Sequence, residues 1–236
     1  MNETLRTALA AKGIGQLDVA TKLQVDPKTV ERWLSGRVPH PSSRKALAEL
    51  LDMSEDDLWP PAGAVVNRRF GPEIRAVYPH RWAVPRHVWH KLFARAEREI
   101  DILVYSGLFL FEDTGMLQLL AAKADAGVRI RIALGDPESP EVIQRGEDEG
   151  IGDSVAARIR NAQALLRPLT AREGVKVRLH RTILYSSIFR ADDHLLTNPH
   201  IYGTPAAVAP VLHLRRSADS ALFSTYLDSF EQVWPR

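Results

Sequence analysis

The pattern that most restricts this chain begins after Pro85. Val88, Trp89, Leu92, Phe93 and Ala96 recur at helical spacing, and Ile100-Asp101-Ile102-Leu103-Val104-Tyr105-Ser106 follows as a strand. The same order returns as a helix over 114–126, a stop at Gly127 and a strand over 128–134. Helix and strand in strict succession demand a parallel sheet with crossover helices, because parallel strands cannot be joined by tight turns. Residues 135–152 are polar and acidic and contain Pro137 and Pro140, which predicts a loop with a short helix above the strand ends. A helix over 154–166, strands over 175–179 and 209–214, and a closing helix over 220–234 complete an α/β domain spanning 85–236. In the closing helix Leu222, Phe223, Tyr226, Leu227, Phe230 and Trp234 share one stripe, the signature of a core face. Ligands in open α/β sheets gather at the carboxyl ends of the strands, so Tyr105-Ser106-Gly107, Gly135-Asp136 and His180 are expected to face one cleft.

The first sixty residues follow a different rule. Leu5, Leu9, Ile14, Leu17, Val19, Ala20, Leu23, Val25, Val30, Trp33, Leu34, Leu47, Leu50, Leu51 and Leu58 sit at helical spacings inside short segments. Gly13-Ile14-Gly15, Val25-Asp26-Pro27 and Gly36-Arg37-Val38-Pro39 separate those segments, which predicts a small all-α bundle over 1–60. Asp26 suits an N-cap, Pro27 the first helical position and Gly36 the stop of the next helix. Trp33 falls with Val30 and Leu34 on the packed face. Trp59-Pro60-Pro61 ends the bundle, since consecutive prolines hold the chain extended. Residues 61–84 are then expected to form a linker that Phe70, Tyr78 and Trp82 anchor by packing, although its basic and aromatic mixture, with Arg68 and Arg69, also suits nucleic acid.

Gln16, Ala20, Leu23, Val25, Thr29, Val30, Trp33, Gly36 and Arg37, followed by Pro39 and Pro41, stand at the spacing of a helix-turn-helix. This stretch, within residues 4–60, resembles the XRE-type, Cro-like family of transcriptional regulators. The resemblance implies sequence-specific binding of double-stranded DNA, with the third helix in the major groove and the second across the backbone. By position it assigns Lys28, Thr29, Glu31 and Arg32 to base edges and Gln16, Arg37, Arg44 and Lys45 to phosphates. Charge agrees: Lys28, Arg32, Arg37, Arg44 and Lys45 face one acidic residue, Glu31, over 28–45, whereas Glu49, Asp52, Glu55, Asp56 and Asp57 follow.

Composition narrows the setting. The 236 residues are 45% hydrophobic and 25% charged, as in folded globular proteins. With no cysteine there is neither a disulfide framework nor a thiolate metal site, and no apolar run approaches the ~18 residues of a membrane span. A cytoplasmic protein is therefore expected, and the XRE-type resemblance implies a bacterial, DNA-associated one. The net charge of +2 is small, so a basic surface must come from local clustering.

The densest polar stretch is 180–203. Apolar runs over 182–189 and 194–197 flank Arg190-Ala191-Asp192-Asp193, which predicts a hairpin carrying His180, His194, His200, Asn198, Tyr185 and Tyr202. Phosphate donors are available in His180, Thr182 and Asn198, and base or sugar contacts in Tyr185, Arg190, His200 and Tyr202. A hairpin whose polar groups only satisfy one another is the plainer alternative. A metal held by His180, His194, His200, Asp192 and Asp193 has no helical His pair or Cys to support it, so neither metal nor other cofactor is expected.

His180 and Asn198 match the ends of the motif His-x-Lys-x4-Asp-x6-Gly-Ser-x-x-Asn, and the strand, hairpin, strand and helix after His180 are similar to the phospholipase-D superfamily over 85–236. The interior departs from it: Thr182 stands at the Lys, Ser187 at the Asp, and His194-Leu195 at Gly-Ser. Losing the Lys removes a fixed positive charge from the transition state, so the resemblance implies a catalytically degenerate domain with no catalytic residues. It implies a domain that pairs two copies and senses a phosphorylated small molecule or nucleotide. The expected whole is a homodimeric regulator on a palindromic operator. The alternatives are an active phosphodiesterase or nuclease with His180 as nucleophile, and a second domain that only dimerises.

Overall fold

The computed structural model describes residues 2–53, 55–59, 73–217 and 220–234. The chain divides after Ala62 into two units. Pro60 and Pro61, and the expected linker residues 61–72 with Arg68, Arg69 and Phe70, lie outside the described residues.

The first unit is all-α: α1 (Glu3–Ala11), α2 (Gln16–Leu23), α3 (Pro27–Leu34), α4 (Pro41–Leu51) and α5 (Glu55–Leu58). Local chemistry sets the helix starts. Asn2 Oδ1 accepts from the Leu5 N–H at 3.0 Å, and Asp26 Oδ1 accepts from the Lys28 N–H at 2.8 Å. Each bond satisfies an amide that the helix itself leaves unpaired. The turn between α2 and α3 needs left-handed backbone at Gln24, φ 53°. Leu5, Leu9, Val19, Val30, Trp33, Leu47, Leu51 and Leu58 form the core, whereas Leu17, expected among them, is exposed.

The second unit contains β1 (Ile74–Tyr78), α6 (Arg86–Ala94), β2 (Glu99–Val104), α7 (Leu108–Phe111), α8 (Thr114–Asp125), β3 (Arg129–Gly135), α9 (Pro140–Asp148), α10 (Ser154–Thr170), β4 (Val175–His180), β5 (Ser186–Ala191), β6 (His194–Pro199), β7 (Val211–Arg215) and α11 (Ala221–Val233). Seven strands form one sheet in the order β1-β7-β6-β5-β2-β3-β4. β2, β3 and β4 are parallel and joined through helices, as the alternation predicts. The other pairings are antiparallel, so the sheet is mixed. Residues 74–78, expected as linker, are the edge strand β1 paired with β7. Tyr78 packs in the core, but Trp82 is 73% exposed and anchors nothing.

Side chains alternate between the two faces of the sheet. On one, Phe189 meets Trp89 of α6 edge to face at 4.9 Å. On the other, Asp101, Arg131 and Arg190 sit side by side on β2, β3 and β5. Arg131 Nε donates to Asp101 Oδ1 at 2.7 Å and Arg190 Nη1 donates to Asp101 Oδ2 at 2.6 Å. Arg131 also binds Glu231 of α11, at 2.6 Å, and lies over the Phe230 ring. A fully buried carboxylate thus has two guanidinium partners, and the cluster fastens the last helix to the sheet.

Candidate functional site

On the first unit, Lys28, Glu31 and Arg32 are exposed together at positions i, i+3 and i+4 of α3, opposite the buried Val30 and Trp33. Thr29 is half-buried beside them. Arg37 and Lys45 are exposed. Gln16 and Arg44 have internal duties: Gln16 Nε2 donates to the Pro27 carbonyl at 2.8 Å, tying the start of α2 to the start of α3, and Arg44 Nε lies 3.4 Å from Glu55 Oε2. The expected base readers therefore share one surface, and two of the four expected phosphate contacts are partly engaged within the bundle.

On the second unit, the hairpin differs from its expected register. Thr182 and Tyr185 precede β5, and the turn contracts to Asp192-Asp193, with Asp192 at φ 48°. Asp192 accepts from the amides of Glu97, Arg98 and Glu99, at 2.7, 3.1 and 2.9 Å, and so closes the entrance to β2. β5 runs antiparallel to β2, so Arg190 and His194 lie at the opposite end of the sheet from the carboxyl ends of β2, β3 and β4. Arg190 is committed to Asp101 and Glu99, and His194 accepts from Arg95 at 2.9 Å. Burial and the nearby Arg95 push the His194 pKa down to about 2.

His180 and Asn198 do not meet, because β3, β2 and β5 separate their strands. His180 turns inward: Nε2 lies 3.2 Å from the Val104 carbonyl, and Nδ1 accepts from the Thr182 N–H at 3.3 Å. The second bond leaves the proton on Nε2, and burial lowers the pKa, so the ring is neutral. Asn198 is fully buried and donates to the carbonyls of Ala209 and Pro210 at 3.2 and 2.8 Å.

What gathers at the strand ends is a different set. A cavity of about 90 Å³ is lined by Tyr105, Ser106 and Gly107, by Ser187 and His200, and by Arg81, Arg145 and Arg158. It shares Tyr105, Arg145 and His200 with a groove of about 450 Å³ that Ile183, Leu184, Tyr185 and Tyr202 border. Of the segments expected to share a cleft, Tyr105-Ser106-Gly107 faces one, together with Tyr185, His200 and Tyr202, whereas neither space is lined by Gly135, Asp136, His180, Thr182, Arg190 or Asn198.

The cleft is built by precise local bonds. The Leu184 N–H donates to the Tyr105 hydroxyl at 3.1 Å, and the Tyr105 ring stacks on His200 with centroids 5.7 Å apart. His200 Nδ1 donates to the Leu184 carbonyl at 3.0 Å, which leaves Nε2 to accept from Ser187 Oγ at 3.0 Å. Burial and the charge of Arg145 push the His200 pKa down to about 4, so this imidazole is a neutral acceptor near pH 7.

Arg145 pairs with Glu149 and donates to the Thr204 carbonyl at 3.2 Å. Its helix packs against the turn that leads into α10 at Gly146, where a Cβ would come within 2.1 Å of the Gly152 carbonyl oxygen. Arg81 lies over the Phe109 ring at 4.1 Å. Burial lowers its pKa to about 10, with Glu149 opposing and Arg158 adding to the shift.

No family model and no curated protein matches the chain. Among solved structures it is similar to TrmBL2, described as an archaeal chromatin protein with a novel mode of DNA binding. The identity is 13% and the TM-score 0.39 over 87% of this chain and 63% of that one. The chain therefore spans less than two thirds of that protein's length.

Arg81, Arg145, Arg158 and Ser187 are the cleft residues that sequence reasoning missed. Arg81 fell in the expected linker, and Arg145 in the acidic stretch where a loop with a short helix was expected and no binding residue was singled out. The one local signal was Gly146 inside a polar helix, a mark of close backbone approach.

Proposed function

We propose that this protein is a sequence-specific DNA-binding regulator of the XRE-like type, whose α/β domain is a catalytically degenerate phospholipase-D-like module that senses a phosphorylated small molecule or nucleotide. The observation that carries the DNA-binding half is the single exposed surface of Lys28, Glu31 and Arg32 on α3, fixed by the Asp26 cap and the Gln16 bond to Pro27. Side chains so placed reach base edges when the helix enters a major groove. Sensing is favoured over hydrolysis because each ring nitrogen of His180 already faces a backbone partner, whereas a nucleophile needs one free. Two copies of the chain would read the two halves of a palindromic operator.

Selection from a pool of randomised duplexes with the full chain tests this function. Enrichment of one inverted repeat is expected, and binding without sequence preference contradicts it. A chain carrying His180→Ala should also show the same trace activity on a generic phosphodiester as the unmodified chain; hydrolysis that the substitution abolishes would restore the nuclease alternative.

A further inference from the structure

Three guanidiniums and one carboxylate line the small cavity, through Arg81, Arg145, Arg158 and Glu149, which leaves two uncompensated positive charges. Among the described residues neither the Arg81 nor the Arg158 guanidinium has a hydrogen-bond or ion-pair partner; Arg81 is half-buried and Arg158 is exposed. Arg81 has its ring partner, Phe109, but every N–H of its guanidinium is without an acceptor among those residues. A guanidinium drawn partly out of water without a partner, as that of Arg81 is, is costly, and such groups are normally paired. A volume of about 90 Å³ is room for roughly three waters or one tetrahedral oxyanion. Ser187 and His200 form the polar floor.

The adjoining groove has another character. Tyr185 and Tyr202 are 83% and 85% exposed, so their ring faces are free to stack on a flat ligand. Glu141 also borders it, with Oε2 buried and without a hydrogen-bond partner among the described residues. An unpaired carboxylate oxygen there suits an N–H donor, such as an exocyclic amine. At about 450 Å³ the groove falls within the range of small-molecule sites, ~300–1,000 Å³.

We infer that the two spaces form one site for a nucleoside monophosphate whose base carries an exocyclic amino group. The phosphate enters the cavity between Arg81 and Arg158, and the base lies in the groove against Tyr185 and Tyr202 with its amine towards Glu141. This assignment rests on the sensing function for its biological consequence, but binding itself is measured independently of DNA.

Calorimetric titration of the full chain with adenosine, guanosine and cytidine 5′-monophosphates, and with the nucleoside and ribose 5-phosphate, tests it. The best nucleotide should bind at least tenfold more tightly than its nucleoside, and at least tenfold more tightly than ribose 5-phosphate. Arg81→Met and Arg158→Met should each remove most of the phosphate-dependent gain while leaving nucleoside binding intact, and Arg81→Lys should keep part of it. A nucleoside that binds as tightly as its monophosphate overturns the phosphate site. Ribose 5-phosphate binding as tightly as the nucleotides overturns the base groove, and no binding by any monophosphate at millimolar concentration overturns both. A nucleotide that binds as expected yet leaves DNA affinity unchanged contradicts sensing and leaves the site standing.

Discussion

His180, His194 and His200 are each held neutral by burial, and each therefore links stability to pH. In the unfolded chain they protonate near 6.5; in the fold His200 does so only near 4 and His194 near 2. Their contribution is thus complete above pH 6.5 and is lost as pH falls towards the folded values, by up to ~1.4 kcal/mol per histidine for each unit. The carboxylates whose pKa is lowered, such as Asp136 and Glu231, each held down by an arginine, are moved further from the interval between pH 7 and 5. Urea unfolding should show lower stability at pH 5 than at pH 7, and His200→Gln should shrink the difference. Equal stability at the two pH values would contradict the neutral histidines. Arg190 gives a complementary prediction. Arg190→Met leaves Asp101 with one fewer partner in a fully buried site and should cost ~3–5 kcal/mol, with little effect on ligand binding by whatever remains folded.

Helix α3 and the corner between α9 and α10 are the elements on which each unit's proposed function depends. Lys28→Ala or Arg32→Ala, measured by fluorescence anisotropy on the selected duplex, should weaken binding by ~1–3 kcal/mol and relax preference at particular base pairs. Arg37→Ala should weaken all duplexes alike and reduce the salt dependence, since a phosphate contact carries no sequence information. Gly146→Ala would drive a Cβ into the Gly152 carbonyl, displacing Arg145 and Arg158 together. It should weaken nucleotide binding and lower the melting temperature; an unchanged melting temperature would show that the corner yields easily.

These elements were unequally legible. α2 and the parallel strands announced themselves because each obeys one hydrophobic period. β1 escaped notice because a five-residue edge strand beside an apolar and basic stretch has little period to read. The hairpin was found, but its register was displaced by Tyr185, which looked like part of the first strand and is exposed before it. The cleft itself was only half visible. Tyr185, His200 and Tyr202 were recognisable as unusual polar and aromatic density, whereas Arg81, Arg145 and Arg158 lie far apart in sequence and meet only through the packing of a turn and two helices. His180 and Asn198 matched a motif by spacing alone, and spacing along a chain does not fix which strands lie between.

At the scale of the whole molecule, two units must act on one another for the protein to regulate. A ligand shifts an equilibrium only by its difference in affinity for the two states, and the coupling is reciprocal. Sedimentation equilibrium should find a homodimer, as two half-sites require; a monomer at DNA-binding concentrations would contradict the palindromic operator. The most direct measurement is an anisotropy titration of the selected duplex with the full chain, performed without nucleotide and with the best-binding monophosphate at saturation. The duplex Kd is predicted to change by at least fivefold, and the nucleotide Kd by the same factor when DNA is present. Identical duplex affinities, at a nucleotide concentration shown to fill the cleft, would contradict a ligand-responsive regulator.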